Sequence, residues 1–358
     1  MYYNLVHHLP GAGVSVRGLV AGTHVPHNGV TIDAFQSSDA SILSRMHRAR
    51  MAARTILTTG VDLVVSHFAL YTFPWIDLVD DCPFVMHFHG PWALEGTVEK
   101  GRNPVVWTKK QIEQVVYRRA DRFIVLSEAF RDVLHDTYAV PLDRIDIVPG
   151  GVNVDHFDVD ASPDEARRRL NWPTNRPVVF CVRRLAHRMG LENLIDAMTE
   201  VRRQVPDALL LIAGKGPLHD VLRARIDDAG LVDAVRLLGF VPDADLPYAY
   251  RAANFSIVPT VALEGFGLIT IESLAAGTPV LVTPIGGLPE TVRELDPNLI
   301  LPSAKPDVLA EALIDRLQHP ESLPSAEVCT CYARETFDWP IIAARTRDVY
   351  AHVLDTHA

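Results

Sequence analysis

Short apolar runs alternate with amphipathic stretches along most of this chain, and this alternation restricts the fold more than any other feature. Runs bounded by Gly, Pro and Asn predict strands buried on both faces, and the stretches between them have helical spacing. The predicted strands are VSVRGLV, VTIDAF, LVVSHF, FVMHFH, RFIVL and IDIVP in the first half, then VVFCV, ALLLIAG, AVRLLG, FSIVP, PVLVT and NLILP. Strands that alternate with helices favour parallel sheets, so we predict two doubly wound α/β halves.

The boundary between the halves is predicted from an interruption of this pattern. The chain has 358 residues, enough for two domains of ordinary size. In VPGGVNVDHFDVDASP, two glycines and a polar run precede a helix predicted from Pro163 to Leu170. We therefore predict one domain over residues 1–155 and a second over 156–337. Such sheets bind ligands beyond the carboxyl ends of their strands, so we expect a ligand cleft between the domains.

Composition argues against several classes of function. The formal net charge is -10, whereas nucleic-acid binding needs clustered Lys and Arg. No apolar run approaches the roughly twenty residues of a membrane span, and MYYNLVHHLP lacks the pattern of a secretory signal, so we expect a cytoplasmic protein. The cysteines Cys82, Cys181, Cys329 and Cys331 complete no zinc pattern, and we interpret them as reduced packing residues.

Arginines interleaved with apolar residues predict an amphipathic helix near residues 43–56. Its charges come from Arg45, Arg48, Arg50 and Arg54. Two interpretations stay open: a solvated surface helix, which we favour, or a helix that touches an anionic acceptor or anionic lipid at the inner face of a membrane.

The segment ALEGFGLITIESLAAGTPVLVT, residues 262–283, carries the most specific chemical signal. A glycine loop leads into a short helix that ends near Gly277. The N–H groups around Gly265 to Leu268 predict an anion site, because they lack helical partners and lie at the positive end of the helix dipole. Glu264 precedes this helix, and Glu272 lies about one turn inside it.

A glycosidase pair is one interpretation of Glu264 and Glu272. In a helix with a rise of about 1.5 Å per residue, the two carboxylates would lie roughly 12 Å apart, whereas a retaining hydrolase needs roughly 5 Å. We therefore expect both carboxylates to accept hydrogen bonds from sugar and ribose hydroxyl groups instead.

The sequence EGFGLITIESLAAGTPV resembles the family-4 retaining glycosyltransferases of the GT-B fold, whose signature places two glutamates in this setting. The resemblance continues through SHF, HFHGPW, RFIVLSEAF, VPGGVNVDHF, RRLAHRMGLENLI, LIAGKGP, LLGFV and FDWPIIAARTRDVY. It implies two Rossmann-like domains that face each other across a cleft, with residues 338–358 crossing back to the first domain. It also implies metal-free, retaining transfer of a hexose from a nucleotide sugar, such as UDP-glucose, to a saccharide or lipid-linked acceptor, with no further cofactor.

The resemblance also implies roles for single residues. Glu264 would hold hydroxyls of the donor sugar, and Glu272 would hold the ribose. Arg184 matches an arginine that neutralises the departing diphosphate, and His89 matches a histidine near the anomeric carbon. The other positions implied at the nucleotide are Gly214, Gly216, Phe240, Gly265, Phe266, Gly267 and Leu268.

Several matching positions also have a purely structural interpretation. Gly214, Gly216, Ser127 and Gly151 match loop positions of the family, and each could be required by the backbone alone. His67 and His87 are weaker candidates than His89. Alternation along a strand predicts that His87 and His89 share one face, where His87 would be a packing neighbour.

Two departures from the family pattern leave alternatives open. The second cation of the family, a lysine, is replaced by Met189, and we expect the adjacent Arg188 to substitute for it at the diphosphate. The opening strand and glycine-rich loop of the family are not found before YYNLVHHLP. The alternatives are a weak or inactive nucleotide-binding paralogue that partners another transferase, and a GT-B sugar-nucleotide epimerase.

Overall fold

The computed structural model describes residues 2–22, 30–36, 40–79, 81–93 and 104–357. The chain divides into two compact units, Met1–Gly151 with Trp339–Ala358 and Val152–Asp338. The divisions lie four residues before and one residue after the boundaries predicted from sequence. Within the described ranges, no helix combines the length and the apolarity needed to cross a bilayer.

Strands and helices alternate as the sequence pattern predicts. The strands are β1 (Arg17–Ala21), β2 (Thr31–Gln36), β3 (Val64–Ser66), β4 (Phe84–Phe88), β5 (Arg122–Val125), β6 (Ile145–Ile147), β7 (Val178–Val182), β8 (Leu209–Ala213), β9 (Val235–Gly239), β10 (Phe255–Val258) and β11 (Val280–Val282). The α-helices of the first unit are α1 (Tyr2–His8), α2 (Ile42–Leu57), α3 (Ala69–Thr72), α4 (Pro104–Arg119) and α5 (Glu128–Tyr138). Those that follow are α6 (Val154–Phe157), α7 (Pro163–Arg169), α8 (Leu191–Gln204), α9 (His219–Asp228), α10 (Leu246–Arg251), α11 (Leu268–Ala275), α12 (Pro306–Gln318), α13 (Ala326–Phe337) and α14 (Trp339–His357).

The first unit contains a four-stranded parallel sheet in the order β3-β4-β5-β6 and a separate parallel pair, β1 and β2. Strand β3 is therefore an edge of its sheet. Residues of β1 and β3 line a common cavity of about 440 Å³. The predicted strands of this half thus form two sheets that are not hydrogen-bonded to each other.

Both faces of β4, an inner strand of the larger sheet in the first unit, are buried, which explains why this strand is mostly apolar. Phe84, Met86 and Phe88 pack on one face of β4. Val85 points to the other face, where it packs in a cluster with Trp339 and other residues of α14. The C-terminal helix therefore contributes to the core of the first unit, as the resemblance implied.

The second unit is built on one five-stranded parallel sheet in the order β11-β10-β7-β8-β9. The chain builds outward from β7 to one side and then returns to add β10 on the other. Ligands of doubly wound sheets bind beyond the strand ends at such a reversal. The strand order therefore predicts a ligand site at the loops after β7 and β10.

One predicted strand of the second half is wrong. The 3-10 turn Pro297–Leu299 takes up the first two residues of NLILP, and the segment contributes only an isolated bridge between Val282 and Ile300. Asp296 begins the turn by accepting a hydrogen bond from the N–H of Asn298. Proline fixes the first backbone angle of the turn and removes a donor, so the apolar run does not extend as a strand.

Candidate functional site

The residues predicted to bind a nucleotide sugar gather at one edge of the second unit. Because all five strands are parallel, the loops that follow them leave the sheet on the same side. Arg184 follows β7, Gly214 follows β8, Phe240 follows β9, and Glu264 lies in the loop after β10. Residues far apart in sequence thus share the carboxyl edge of a single sheet.

The loops after β7 and β8 pack backbone against backbone, which accounts for two of the predicted glycines. A Cβ atom at Gly214 would lie 1.9 Å from the carbonyl oxygen of Arg183, and one at Gly216 would lie 2.3 Å from that of Leu185. The N–H of Leu185 donates to the carbonyl of Lys215 over 3.1 Å. Loop packing therefore requires both glycines, whatever ligand the loops bind.

The loop that carries Glu264 is strained and firmly held. Leu263 has a positive φ of 51°, which is uncommon for a residue other than glycine. The N–H of Gly287 donates to the carbonyl of Glu264 over 3.1 Å, and a Cβ atom at Gly286 would lie only 1.8 Å from that oxygen. Gly267 has φ of 85° and begins α11. Strain of this kind persists only where the surroundings fix the backbone.

The side chain of Phe266 is buried against Phe337, with the ring centroids 5.8 Å apart. The phenyl ring therefore belongs to the core, and only its backbone could meet a nucleotide. Phe240, by contrast, is 63% exposed, and the Lys215 ammonium lies 5.5 Å from its ring centroid. An exposed aromatic ring at the ligand-binding edge of a sheet is suited to stacking against a flat base.

The partner of the Glu264 carboxylate is Arg183, which the sequence interpretation missed. Nη2 of Arg183 donates to Oε2 of Glu264 and to Oγ1 of Thr260. The side chains of Arg183 and Glu264 are only 8% and 14% exposed. Nε of Arg183 is buried and has no hydrogen-bond partner within the described ranges. The doublet of arginines after β7 was the available signal, but sequence alone attached a role only to Arg184.

The cations expected at the diphosphate take different positions. Arg184 is exposed, Arg188 is half-buried and Met189 is buried. Nη1 of Arg188 donates to the carbonyl of Leu263 over 2.7 Å, so its guanidinium reaches the loop that carries Glu264. Because Met189 lies in the core, its position offers no direct access to a phosphate, and Arg188 is the neighbour that turns toward the site.

Glu272 lies inside α11, in surroundings that differ from those of Glu264. The hydroxyl of Tyr250 donates to its Oε2 over 3.2 Å. Burial raises the pKa of Glu272, although the Tyr250 hydrogen bond acts in the opposite direction. The two glutamates therefore have separate partners, as expected if they serve separate hydroxyl groups.

In the first unit, three histidines cluster after β3 and near the end of β4. Nδ1 of His67 lies 2.9 Å from Nε2 of His89, within hydrogen-bond distance. The rings of His67 and His87 stack with centroids 4.3 Å apart, and those of His87 and His89 lie 6.2 Å apart. The prediction that His87 and His89 share a face is confirmed.

Neutral imidazoles are favoured throughout this cluster. Burial lowers the pKa of His87 to about 3, and it lowers that of His67 well below the usual range. His89 keeps an exposed side, yet the protein crowded around its ring lowers its pKa to about 4. The cluster is therefore uncharged near neutral pH.

The three histidines also have the spacing of a metal site, since one ring nitrogen from each lies within 4.8 Å of the others. A metal is bound by lone pairs in the ring planes. The rings of His67 and His87 are stacked, with only 22° between their planes, so these lone pairs do not converge. Coordination of one ion would require the His87 ring to turn.

Other matching positions in the first unit have structural roles. Nε2 of His87 lies 2.8 Å from the hydroxyl of Tyr350 on α14, which fixes His87 as a packing residue. Ser127 caps α5 by accepting a hydrogen bond from the N–H of Phe130. A Cβ atom at Gly151 would lie 2.6 Å from the ring of Trp339.

Comparisons with known proteins agree with these observations. A family model described as "Glycosyl transferases group 1" matches residues 162–336, and one described as "Glycosyltransferase Family 4" matches residues 1–156. The phosphatidyl-myo-inositol mannosyltransferase of Mycobacterium leprae is 31% identical over 295 residues, which cover 77% of this chain and 75% of that protein.

A second relative is the GDP-mannose-dependent alpha-(1-6)-phosphatidylinositol monomannoside mannosyltransferase of Mycobacterium tuberculosis (strain CDC 1551 / Oshkosh). It is 35% identical over 187 residues, which cover 49% of this chain and 48% of that protein. The chain thus spans about half the length of this relative.

Among solved structures, sucrose-phosphate synthase from Thermosynechococcus elongatus is similar with a TM-score of 0.80 and 23% identity, covering 98% of this chain and 92% of that chain. HepE from Anabaena in complex with UDP is similar with a TM-score of 0.74 and 19% identity, covering 90% and 86%. At these identities the likeness concerns the fold.

Proposed function

The chain belongs to the group 1 glycosyltransferases and has their GT-B fold, and on that premise we propose that it transfers a hexose from a nucleotide sugar to a saccharide or lipid-linked acceptor. One observation carries the proposal. The loops after β7 and β10, where the strand order reverses, bring arginines and Glu264 together beside the start of α11. Such a site supplies cations for a diphosphate and a carboxylate for sugar hydroxyls.

In the proposed reaction, the bond between the anomeric carbon and the diphosphate oxygen breaks while the acceptor oxygen attacks from the same face. The departing diphosphate oxygen takes the proton of the acceptor hydroxyl, so no protein nucleophile is required and the configuration is retained. Arg184, Arg188 and the N–H groups that begin α11 stabilise the charge that develops on the diphosphate. Because these groups supply positive charge, we propose that the reaction needs no metal ion or other cofactor.

We propose that Glu264 binds hydroxyls of the donor sugar, that Glu272 binds the ribose, and that Phe240 contacts the base. The different partners of the two glutamates support the division of roles. His89 is proposed to lie near the anomeric carbon, and its exposed side in a neutral cluster supports contact with an uncharged hydroxyl.

The donor proposed from sequence is UDP-glucose. The name of the Mycobacterium tuberculosis relative adds GDP-mannose as a second candidate, and the names of both mycobacterial relatives favour a lipid-linked inositol acceptor. The fold is also similar to that of HepE, which was solved in complex with UDP, and this likeness in fold is consistent with UDP-glucose as the donor. Both donors share the diphosphate and the hexose that the site is proposed to recognise.

Turnover assays with UDP-glucose and GDP-mannose, each with and without phosphatidylinositol-type or saccharide acceptors, test the proposal. Transfer, or slow hydrolysis without acceptor, is the expected result. Nucleotide binding without any turnover would instead support the inactive paralogue. An isomerised donor would support the epimerase.

We further propose that α2 contacts anionic lipid when the acceptor is lipid-linked. Leu43 and Met51 are 75% and 52% exposed, and Arg48 and Arg54 are exposed beside them. Arg50 is already paired with Asp77. Co-sedimentation with phosphatidylglycerol vesicles but not with phosphatidylcholine vesicles is expected, and it should weaken in the double variant Arg48→Glu/Arg54→Glu. Equal sedimentation with both vesicles would leave α2 as a solvated helix.

A further inference from the structure

A buried arginine occupies the point in the second sheet where a donor sugar is proposed to bind. Arg183 follows β7 directly, and its guanidinium reaches across to the loop after β10. Most arginines near a site remain exposed, because burial of a charge is costly unless the charge is paired. Here Glu264 supplies the counter-charge and Thr260 a second acceptor.

The loop that carries Glu264 has anchors besides this contact. The backbone around Glu264 is held by the N–H of Gly287, which donates to the Glu264 carbonyl, and by Arg188, which donates to the Leu263 carbonyl. Arg183 adds its bond to the carboxylate rather than to the loop backbone. Its specific effect is therefore on where the carboxylate points.

The pair leaves one acceptor and one donor unused. Among the described residues, Oε1 of Glu264 accepts no hydrogen bond, since Arg183 engages only Oε2. Nε of Arg183 is buried and finds no hydrogen-bond partner in the part of the chain that the structure describes, which is costly in a folded protein. A sugar hydroxyl is a donor, so it can satisfy the free lone pairs of Oε1.

We propose that Arg183 is a positioning and specificity-determining residue for the donor sugar, a role that rests on the proposed function. It holds the Glu264 carboxylate through Oε2 and leaves Oε1 to accept hydrogen bonds from sugar hydroxyls. Because the pair is net neutral, it suits an uncharged hexose whose hydroxyls donate to Oε1. It acts on the sugar and not on the nucleotide.

Binding measurements separate these two parts of the ligand and need no turnover. Calorimetry would compare UDP-glucose with UDP, and GDP-mannose with GDP, for the wild type, Arg183→Met, Glu264→Gln and the double variant. Arg183→Met should weaken the binding of the sugar nucleotide by about 10- to 100-fold, the scale of a hydrogen bond to a charged group. The free nucleotide should change by less than about 3-fold, within the scatter expected for a distant site.

Coupling to Glu264 is the second part of the test. If Arg183 acts through that carboxylate, Arg183→Met should add less than about 3-fold to the loss in the Glu264→Gln background. Arg203→Ala is the matched control, because Arg203 pairs with Glu200 at an exposed position of the same unit. This control should leave both affinities unchanged.

A buried substitution can prevent folding, so Arg183→Lys provides a second route. Lysine keeps the charge but lacks the guanidinium whose Nη2 donates to both Glu264 and Thr260, and a loss of about 3- to 10-fold for the sugar nucleotide alone is expected. Equal losses for nucleotide and sugar nucleotide, or losses that add fully with Glu264→Gln, would overturn the role of Arg183. A wild-type protein that binds neither nucleotide nor sugar nucleotide would refute the proposed function instead.

Discussion

The two units place different chemistry at the carboxyl ends of their sheets. The first unit gathers three imidazoles that stay neutral because burial disfavours their protonated forms. The second unit gathers arginines and carboxylates: Arg183 is paired with Glu264, and Arg184 is exposed. On the function proposed above, the two units would have different roles: the neutral cluster would meet a hydroxyl acceptor, and the charged edge would bind a diphosphate and its sugar.

The charged side of this comparison predicts the largest effect. Arg188→Ala should lower turnover by roughly 10- to 1000-fold, the scale of losing one preorganised charge contact. Steady-state kinetics would measure it, with Arg203→Ala as the exposed control. Met189→Lys should not compensate, because Met189 is buried and an ammonium there would destabilise the core. A harmless Arg188→Ala together with a faster Met189→Lys would contradict this assignment.

Glu272→Ala should weaken nucleoside diphosphate binding by about 1 to 3 kcal/mol, because the variant loses a charged acceptor for the ribose. Glu264→Ala should leave that affinity nearly unchanged and impair turnover of the intact donor. Titration of both variants with UDP and GDP would measure the difference. Equal affinity of the wild type and Glu272→Ala would remove the ribose assignment.

A substitution in the first unit should impair transfer without weakening nucleotide binding, in contrast to Glu272→Ala. His89→Ala should lower transfer by about 10-fold through poorer positioning of the reacting groups, with nucleotide affinity unchanged. His87→Gln provides the comparison, because His87 contacts Tyr350 rather than solvent. If His89→Ala weakened nucleotide binding as strongly as Glu272→Ala does, the proposed division between the units would be wrong.

The neutral cluster also predicts a dependence of stability on pH. The pKa of His87 is about 3 in the folded protein against 6.5 for an ordinary histidine, so below about pH 6.5 the unfolded state binds a proton that the folded state does not. His87 should therefore cost up to about 1.4 kcal/mol of unfolding free energy for each pH unit between pH 6 and 4. Urea denaturation of wild type and His87→Gln at these pH values should show the shallower loss in the variant. Parallel curves would mean that His87 is protonated in the fold.

The smallest expected effect is that of metal removal. Activity should survive exhaustive chelation, because arginines and the start of α11 are proposed to stabilise the leaving group, and the stacked histidines do not aim at one ion. Assays with EDTA, followed by addition of Mg²⁺, Mn²⁺ or Zn²⁺, would measure it. A strict requirement that one ion restores would contradict the proposed mechanism.

Much of the fold could be predicted because a strand that is buried on both faces has a short, continuous apolar run in its own sequence. Eleven of the twelve predicted strands form, and the helix after EGFG begins where the glycines indicate. The exception, NLILP, is apolar enough for a strand, but Pro297, directly before it, starts a turn that runs into it. Apolar content alone therefore did not determine backbone conformation there.

Parts of the site were beyond sequence reasoning because they depend on contacts between distant residues. Arg183 and Glu264 are 81 positions apart, and nothing local indicates which of two adjacent arginines will turn inward. Likewise, the bond between His67 and His89 joins the loop after β3 to the end of β4. Sequence could name the glutamates from their motif, but it could not name the partner that orients one of them.

The return of α14 to the first unit has a consequence for how the protein is made. Trp339 and Ile342 lie in the core of a unit whose other residues come from the first 151 positions. On the ribosome, the second unit is continuous in sequence and can close as soon as it has been synthesised, whereas the first must wait with an open core until α14 emerges. Translation order and the order of completion are thus reversed, and the half-built first unit is the stage at which a chaperone would be most needed.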